Sequence, residues 1–214
     1  MSTPLSQLLK EASATQHKAA ESSSFITQLM RGELDLDAYA AYLANLAWVY
    51  EALELQTHQG EPFVSSEDLW DPKLDRFASI ERDLVAMGAA DWRERFPSSE
   101  GLAEYCSARL RRNGRADFRL VAHHYTRYLG DLSGGQAISA LVARHYGATP
   151  EQLNFCNFTE IENIVHYKEN YRATLDSLIL SDEEIAQLVE EVQYSFTLNQ
   201  QLFDDLGKKQ LTSA

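Results

Sequence analysis

Two stretches of this 214-residue chain carry residue types and spacings better suited to holding a ligand than to building a helix. The first is LSQLLKEASATQHKAAESSS near the amino end. Leu5, Leu8, Leu9, Ala12 and Ala19 make a core stripe there, while Lys10, Ala14, His17 and Glu21 recur at steps that return to a different side of the helix. Glu21 follows His17 by one turn and can accept the second ring N–H, the arrangement that orients a metal-ligating imidazole. Ser13 and Ala14 keep that face low enough for a ligand to approach. An ordinary surface or core histidine fits the same spacing.

The second stretch, YTRYLGDLSGGQ, lies inside a helical pattern running over 120–145. Gly130, Gly134 and Gly135 each cost roughly 0.5–1 kcal/mol relative to Ala in a helix interior. Gly130 and Gly134 are four apart and share a face, which bares backbone where something flat can lie against the helix. The pair at 134 and 135 also permits a kink. Close packing of another helix, or a surface loop, accounts for the glycines too. The loop reading sits badly with Tyr125, Tyr128, Leu129, Leu132, Ile138 and Leu141, which hold helical spacing throughout. Asp131, in the same segment, must be hydrogen-bonded or hydrated, so it marks a structural bridge or a water network. Further on, Lys168 and Arg172 stand one turn apart beside Tyr167 and Tyr171, either as surface charge or as a clamp for carboxylates.

Other chemistries lack their residues. Cys106 and Cys156 form neither CxxC nor CxxCH, which excludes a disulfide framework, a thiolate zinc site and covalent haem attachment. His123 and His124 are adjacent, about 100° apart on a helix, and cannot chelate one ion together. There is no HExxH, paired ExxH, P-loop, GxGxxG or GxSxG. Ser133 has no histidine partner in view and reads as a packing or backbone-bonding residue. Arg109, Arg111, Arg112, Arg115 and Arg119 form a basic cluster, read as a solvated helix end or as a docking surface for an acidic electron-transfer protein.

The elements that must position these residues are helical. Within 36–57, Tyr39, Leu43, Leu46, Tyr50 and Leu53 form one apolar stripe, and similar patterns cover 74–89, 101–111, 161–178 and 182–206. Ser181, followed by Asp182, Glu183 and Glu184, is a helix start. Breakers at Gly60, Pro62, Pro72, Gly88, Pro97, Gly114, Gly147 and Pro150 separate the helices. An apolar fraction of 44% and a charged fraction of 24% suit a folded domain, and a net charge of −13 opposes a nucleic-acid ligand. The chain reads as one all-α domain, 1–214, of about eight helices. Neither a secretory signal nor a membrane span is evident, so the expectation is a soluble, cytoplasmic protein.

Together these pieces resemble haem oxygenase across essentially the whole chain. The resemblance rests on Lys10, His17 and Glu21, on YTRYLGDLSGGQ, on KxxYR at 168–172 and on FxxNQQLFxxL at 196–206. It implies a multi-helix bundle with haem sandwiched between a proximal first helix and a kinked, glycine-rich distal helix. His17 would be the proximal ligand to the iron of haem b and Glu21 its hydrogen-bond acceptor. Gly130, Gly134 and Gly135 would lie over the haem face. Asp131 would hold a water chain, with Tyr50 and Asn199. Lys10, Tyr125, Lys168 and Arg172 would bind the propionates, and Phe196 would pack near the ring. Haem would be both cofactor and substrate, giving biliverdin, carbon monoxide and ferrous iron with O2. Without a flavin or nicotinamide motif, electrons would come from a ferredoxin, a flavodoxin or an NADPH-dependent reductase. The resemblance further implies a soluble, bacterial-type monomer. The competing readings are a haem storage or sensing protein without turnover, and a helical protein with no ligand.

Overall fold

The computed structural model describes residues 3–59, 69–110 and 119–213, and among them every regular element is helical. In chain order these are α1 (Leu5–Ala12), α2 (Ala14–Glu21), α3 (Ser24–Arg31), α4 (Leu36–Gln59), α5 (Phe77–Ala86), α6 (Trp92–Arg95), α7 (Glu100–Glu104), α8 (Leu120–Tyr146), α9 (Ile164–Asp176) and α10 (Asp182–Ser213). A π-helical turn, Tyr105–Leu110, extends α7, and short 3-10 turns form at Pro72–Leu74 and Pro150–Gln152.

The long helices fall where the periodicity puts them. In α4 the stripe from Tyr39 to Leu53 is buried, and so are Ala44, Ala47, Val49 and Ala52 on its other sides. α4 is therefore a central helix, enclosed by α5, α8 and α10. α8 runs without interruption through its three glycines and stops at Gly147, whose φ of 67° is the left-handed conformation that ends helices. α10 begins with the expected cap. Ser181 Oγ accepts from the Glu184 amide at 3.3 Å, and the Glu184 carboxylate takes the Ser181 amide at 2.8 Å.

The amino-terminal helix departs from the single element expected of it. Ser13 sits at φ −100°, ψ 3°, and its hydroxyl donates to the Leu9 carbonyl at 2.7 Å, which divides the run into α1 and α2. Serine bonding back one turn in this way bends helices. A second division falls at Ser23, whose hydroxyl accepts from Ile26 N and starts α3. With extra breaks of this kind, ten α-helices form among the described residues, against the eight or so expected of the whole chain. Of the basic cluster, 111, 112 and 115 and the side chain of Arg109 lie outside the described residues.

Two buried carboxylates tie the connections to the helices. Asp83 accepts from Asn154 N, Asn154 Nδ2 and Phe155 N at 2.7–2.8 Å, holding the turn that backs α8. Glu54 accepts from the amides of Arg76 and Phe77 at 2.6 and 3.0 Å and so caps the start of α5. Burial pushes the Glu54 carboxyl up to about 7, against the pull of those amides. Its folded value therefore lies above its unfolded one. The folded protein keeps a proton there that the unfolded chain releases, so stability falls as pH rises between about 4.5 and 7. Glu54→Gln removes this dependence. In denaturant titrations at pH 5 and pH 8, the variant gains on the wild type by about 3 kcal/mol between the two conditions, from the spacing of the two pKa values. Parallel pH dependence in the two proteins would contradict the assignment.

Candidate active site

A cavity of about 520 Å³ opens between α1 and α2 on one side and α8 on the other. That volume falls within the roughly 300–1,000 Å³ usual for small-molecule and cofactor sites. The bend at Ser13 shapes one wall, which carries Lys10, Ala14, His17 and Glu21. The opposite wall is Tyr125, Leu129, Gly130, Ser133 and Gly134, with Arg172 of α9 and Phe196 of α10 at the margins.

His17 is half-exposed, and its Nδ1 lies 3.4 Å from Glu21 Oε2, a contact that turns Nε2 away from the carboxylate. The Phe196 ring meets the imidazole edge-on at 5.3 Å, fixing its tilt. Across the cavity, a Cβ built on Gly130 or Gly134 touches nothing within 4 Å, so bare backbone faces open space. A flat ring could lie against such a wall, and the imidazole opposite offers a nitrogen that could hold its metal. The residues present therefore fit a haem group.

Lys10, Tyr125 and Arg172 supply cationic and hydroxyl groups at the rim. Lys168 reaches the same rim through Ser133, its ammonium donating to Ser133 Oγ at 3.4 Å. Ser133 is thus an exposed cavity residue bonded to a side chain, contrary to the packing role its surroundings in sequence suggest. Gly135 also departs from expectation. It is turned about 100° from Gly134, and a Cβ built on it would lie 3.5 Å from the Cys156 carbonyl oxygen, on the side of α8 away from the cavity. Gly134→Leu, projecting into free space, should fold with near-wild-type stability and lose the haem Soret band on titration, whereas Gly135→Ala, at ordinary contact distance, should retain it. Equal haem affinity in both variants would show that the glycine face is not the binding wall.

Asp131, Tyr50 and Asn199 lie behind the cavity wall, not on it. The Tyr50 hydroxyl, on α4, donates to Asp131 Oδ2. Burial pushes Asp131 up to about 6, moderated by the Tyr50 bond and by the charges of Arg127 and Arg76. The structure shows no bond between Asn199 and Asp131; Asn199 Oδ1 is buried without a partner among the described residues. The same is true of Nε and Nη2 of Arg127, one turn before Asp131. Arg127 and Tyr105 line a second cavity of about 50 Å³, room for ordered water beside the orphaned Arg127 nitrogens. Sequence spacing does not single out Arg127 as a neighbour of Asp131. Its one signal was a charge amid the apolar spacing of α8. The adjacent histidines have separate partners, His123 in Tyr105 and Glu191, and His124 in Tyr171.

Comparison with known proteins agrees with this geometry. Residues 3–205 match the family described as Heme oxygenase. A heme oxygenase from Porphyra purpurea is 33% identical over 97% of this chain and 88% of its own length. Heme oxygenase 1 from Gallus gallus is 34% identical over 97% of this chain and 71% of its own. The crystal structure of heme oxygenase-1 from Synechocystis in complex with heme superposes with a TM-score of 0.90 at 26% identity, covering 99% of this chain and 96% of that one. The chain belongs to the haem oxygenase family.

Proposed function

We propose that this protein cleaves haem to biliverdin, with release of carbon monoxide and ferrous iron, using O2 and electrons from a separate donor protein. The observation that carries the reading is the cavity itself, with an imidazole on one wall and bare glycine backbone on the other. Haem, when bound, supplies the iron that takes up O2 and the ring that is oxidised. His17 holds the iron, and Glu21 keeps the imidazole oriented. Lys10, Tyr125, Lys168 and Arg172 bind the propionates and set the ring's rotation, which selects the α edge and the IXα product. Gly130 and Gly134 keep bulk away from the reacting side. Asp131, poised near neutrality and bonded to Tyr50, holds protons and orders water behind that side.

No helix among the described residues is long and apolar enough to cross a membrane. We place the protein in the cytoplasm as a monomer, reduced by a ferredoxin, a flavodoxin or an NADPH-dependent reductase. The test is an absorption spectrum with equimolar haem, followed after adding a ferredoxin reductase system in air with catalase present. Loss of the Soret band with growth of the broad red biliverdin band supports the reading. A stable Soret band would make the protein a haem carrier.

A further inference from the structure

A line of aromatic rings leads away from the cavity through the core. Tyr50, bonded to Asp131, packs its ring 5.6 Å from that of Tyr128. Tyr128 lies 4.4 Å from the His124 imidazole, and the His124 ring meets Trp70 edge-on at 4.6 Å. Tyr50 and Tyr128 are fully buried, whereas Trp70 is half-buried and reaches the surface.

Contact alone is common among core aromatics. In this line each tyrosine hydroxyl also has a carboxylate base. A phenol with an ordinary pKa near 10 gives up an electron at neutral pH chiefly by giving up its proton as well, so it needs an acceptor already in place. Tyr50 has Asp131, and Tyr128 donates to Glu54 Oε1 at 3.3 Å. Raised to about 7, Glu54 takes a proton readily. The branch through Tyr171 is poorer. Its hydroxyl bonds His124 Nδ1 at 2.7 Å, but burial pushes that imidazole down to about 3, a weak acceptor. Trp48 and Trp92 stand apart from the line, with the Arg93 guanidinium over both rings at 4.8 and 4.2 Å, and a cation there disfavours loss of an electron.

We propose that Tyr50, Tyr128, His124 and Trp70 form a route that drains oxidising equivalents from the cavity to the surface when hydrogen peroxide reacts there without an electron donor. The inference rests on the haem-binding reading above. Reducing one hydrogen peroxide to two waters takes two electrons and two protons. Tyr128 yields one electron while its hydroxyl proton passes to Glu54, and Trp70 yields the second while its indole proton passes to solvent; the two protons consumed in the cavity balance these. The products are two waters, a neutral tyrosyl radical and a neutral tryptophanyl radical. A soluble one-electron reductant such as ascorbate restores both side chains; without one, a second hydrogen peroxide draws another electron from the Trp70 radical through the same route, and water adds to the ring with loss of a proton, leaving hydroxytryptophan.

The test uses the ferric haem complex treated with hydrogen peroxide in the absence of reductant, examined by freeze-quench electron paramagnetic resonance and by peptide mass spectrometry. The expected result is an organic radical signal with ring oxidation at Trp70, while Trp48 and Trp92 are spared and haem-free protein is unmarked. Tyr128→Phe should lose the Trp70 mark and bleach haem faster, and ascorbate should suppress the mark in the wild type. Trp70→Phe, which leaves Glu54 and its bonds intact, should retain a tyrosyl signal. Equal marking of the three tryptophans, no mark at Trp70, or a mark unchanged in Tyr128→Phe overturns the route. A missing Soret band on mixing with haem overturns the route and the haem reading together, whereas a normal Soret band with Trp70 unmarked overturns the route alone.

Discussion

Replacing Asp131 by Asn should leave haem binding intact and lower the rate of biliverdin formation by about 10²–10⁴-fold, the usual contribution of a positioned acid–base group. The two effects separate because Asp131 does not line the cavity. Its carboxylate faces Tyr50 behind α8, where Asn can still accept the same hydroxyl and fill the same volume. What Asn cannot do is take up and release a proton. The wild-type carboxyl is held near 6 by burial, with Tyr50, Arg127 and Arg76 pulling it back toward the ordinary range. Above about 6 the carboxylate predominates and accepts from Tyr50; below that value it is protonated and loses this role. The wild-type rate should therefore fall as pH drops through about 6, and the Asn variant should show no such limb. Single-turnover assays under a common reductant, from pH 5 to pH 8, check both expectations. An Asn variant with the wild-type rate and pH profile would remove Asp131 from proton handling.

How much of this was legible in the sequence depends on how local each feature is. The burial of Tyr39 through Leu53, the extent of α8 and the cap at Ser181 follow from spacing and from side chains within one or two turns, so the sequence displays them directly. The shared face of Gly130 and Gly134 is of the same kind. In sequence Ser13 reads only as a small residue that leaves a low face, because its bond to Leu9 O competes with an equally acceptable straight helix. The resemblance places Gly135 on the haem face with its neighbours. What turns it inward is the arrival of the turn at Cys156, pinned by Asp83 from α5, and nothing within α8 announces that contact. Arg127 and Asn199 show the same limit: whether a polar side chain is buried is decided by α4, α8 and α10 jointly. The proximity of Tyr50 to Asp131, 81 residues apart, came from the family resemblance and not from any pattern in the residues.

His17→Ala carries the other large expected effect. Loss of a group that merely orients a metal ligand costs roughly 10–100-fold in metal affinity or activity, so loss of the ligating nitrogen itself should exceed that range. Stability should barely move, because the side chain is half-exposed and surface changes usually fall within about 0.5 kcal/mol. The cavity should survive too, since Lys10, Tyr125, Arg172 and the glycine backbone do not depend on the imidazole. Haem should then still associate, with a displaced Soret band, and turnover should collapse. Free imidazole supplies the decisive arm. Half-exposure of His17 means that a small solute can reach the space its ring vacates, so added imidazole should restore the Soret position and part of the turnover in the Ala variant. Its contact with Phe196 is an edge-on ring packing at 5.3 Å, and a packing defect there would not be repaired by a ligand for iron. Recovery with imidazole therefore assigns His17 to the iron, and failure of His17→Ala to alter either spectrum or turnover removes it from the site.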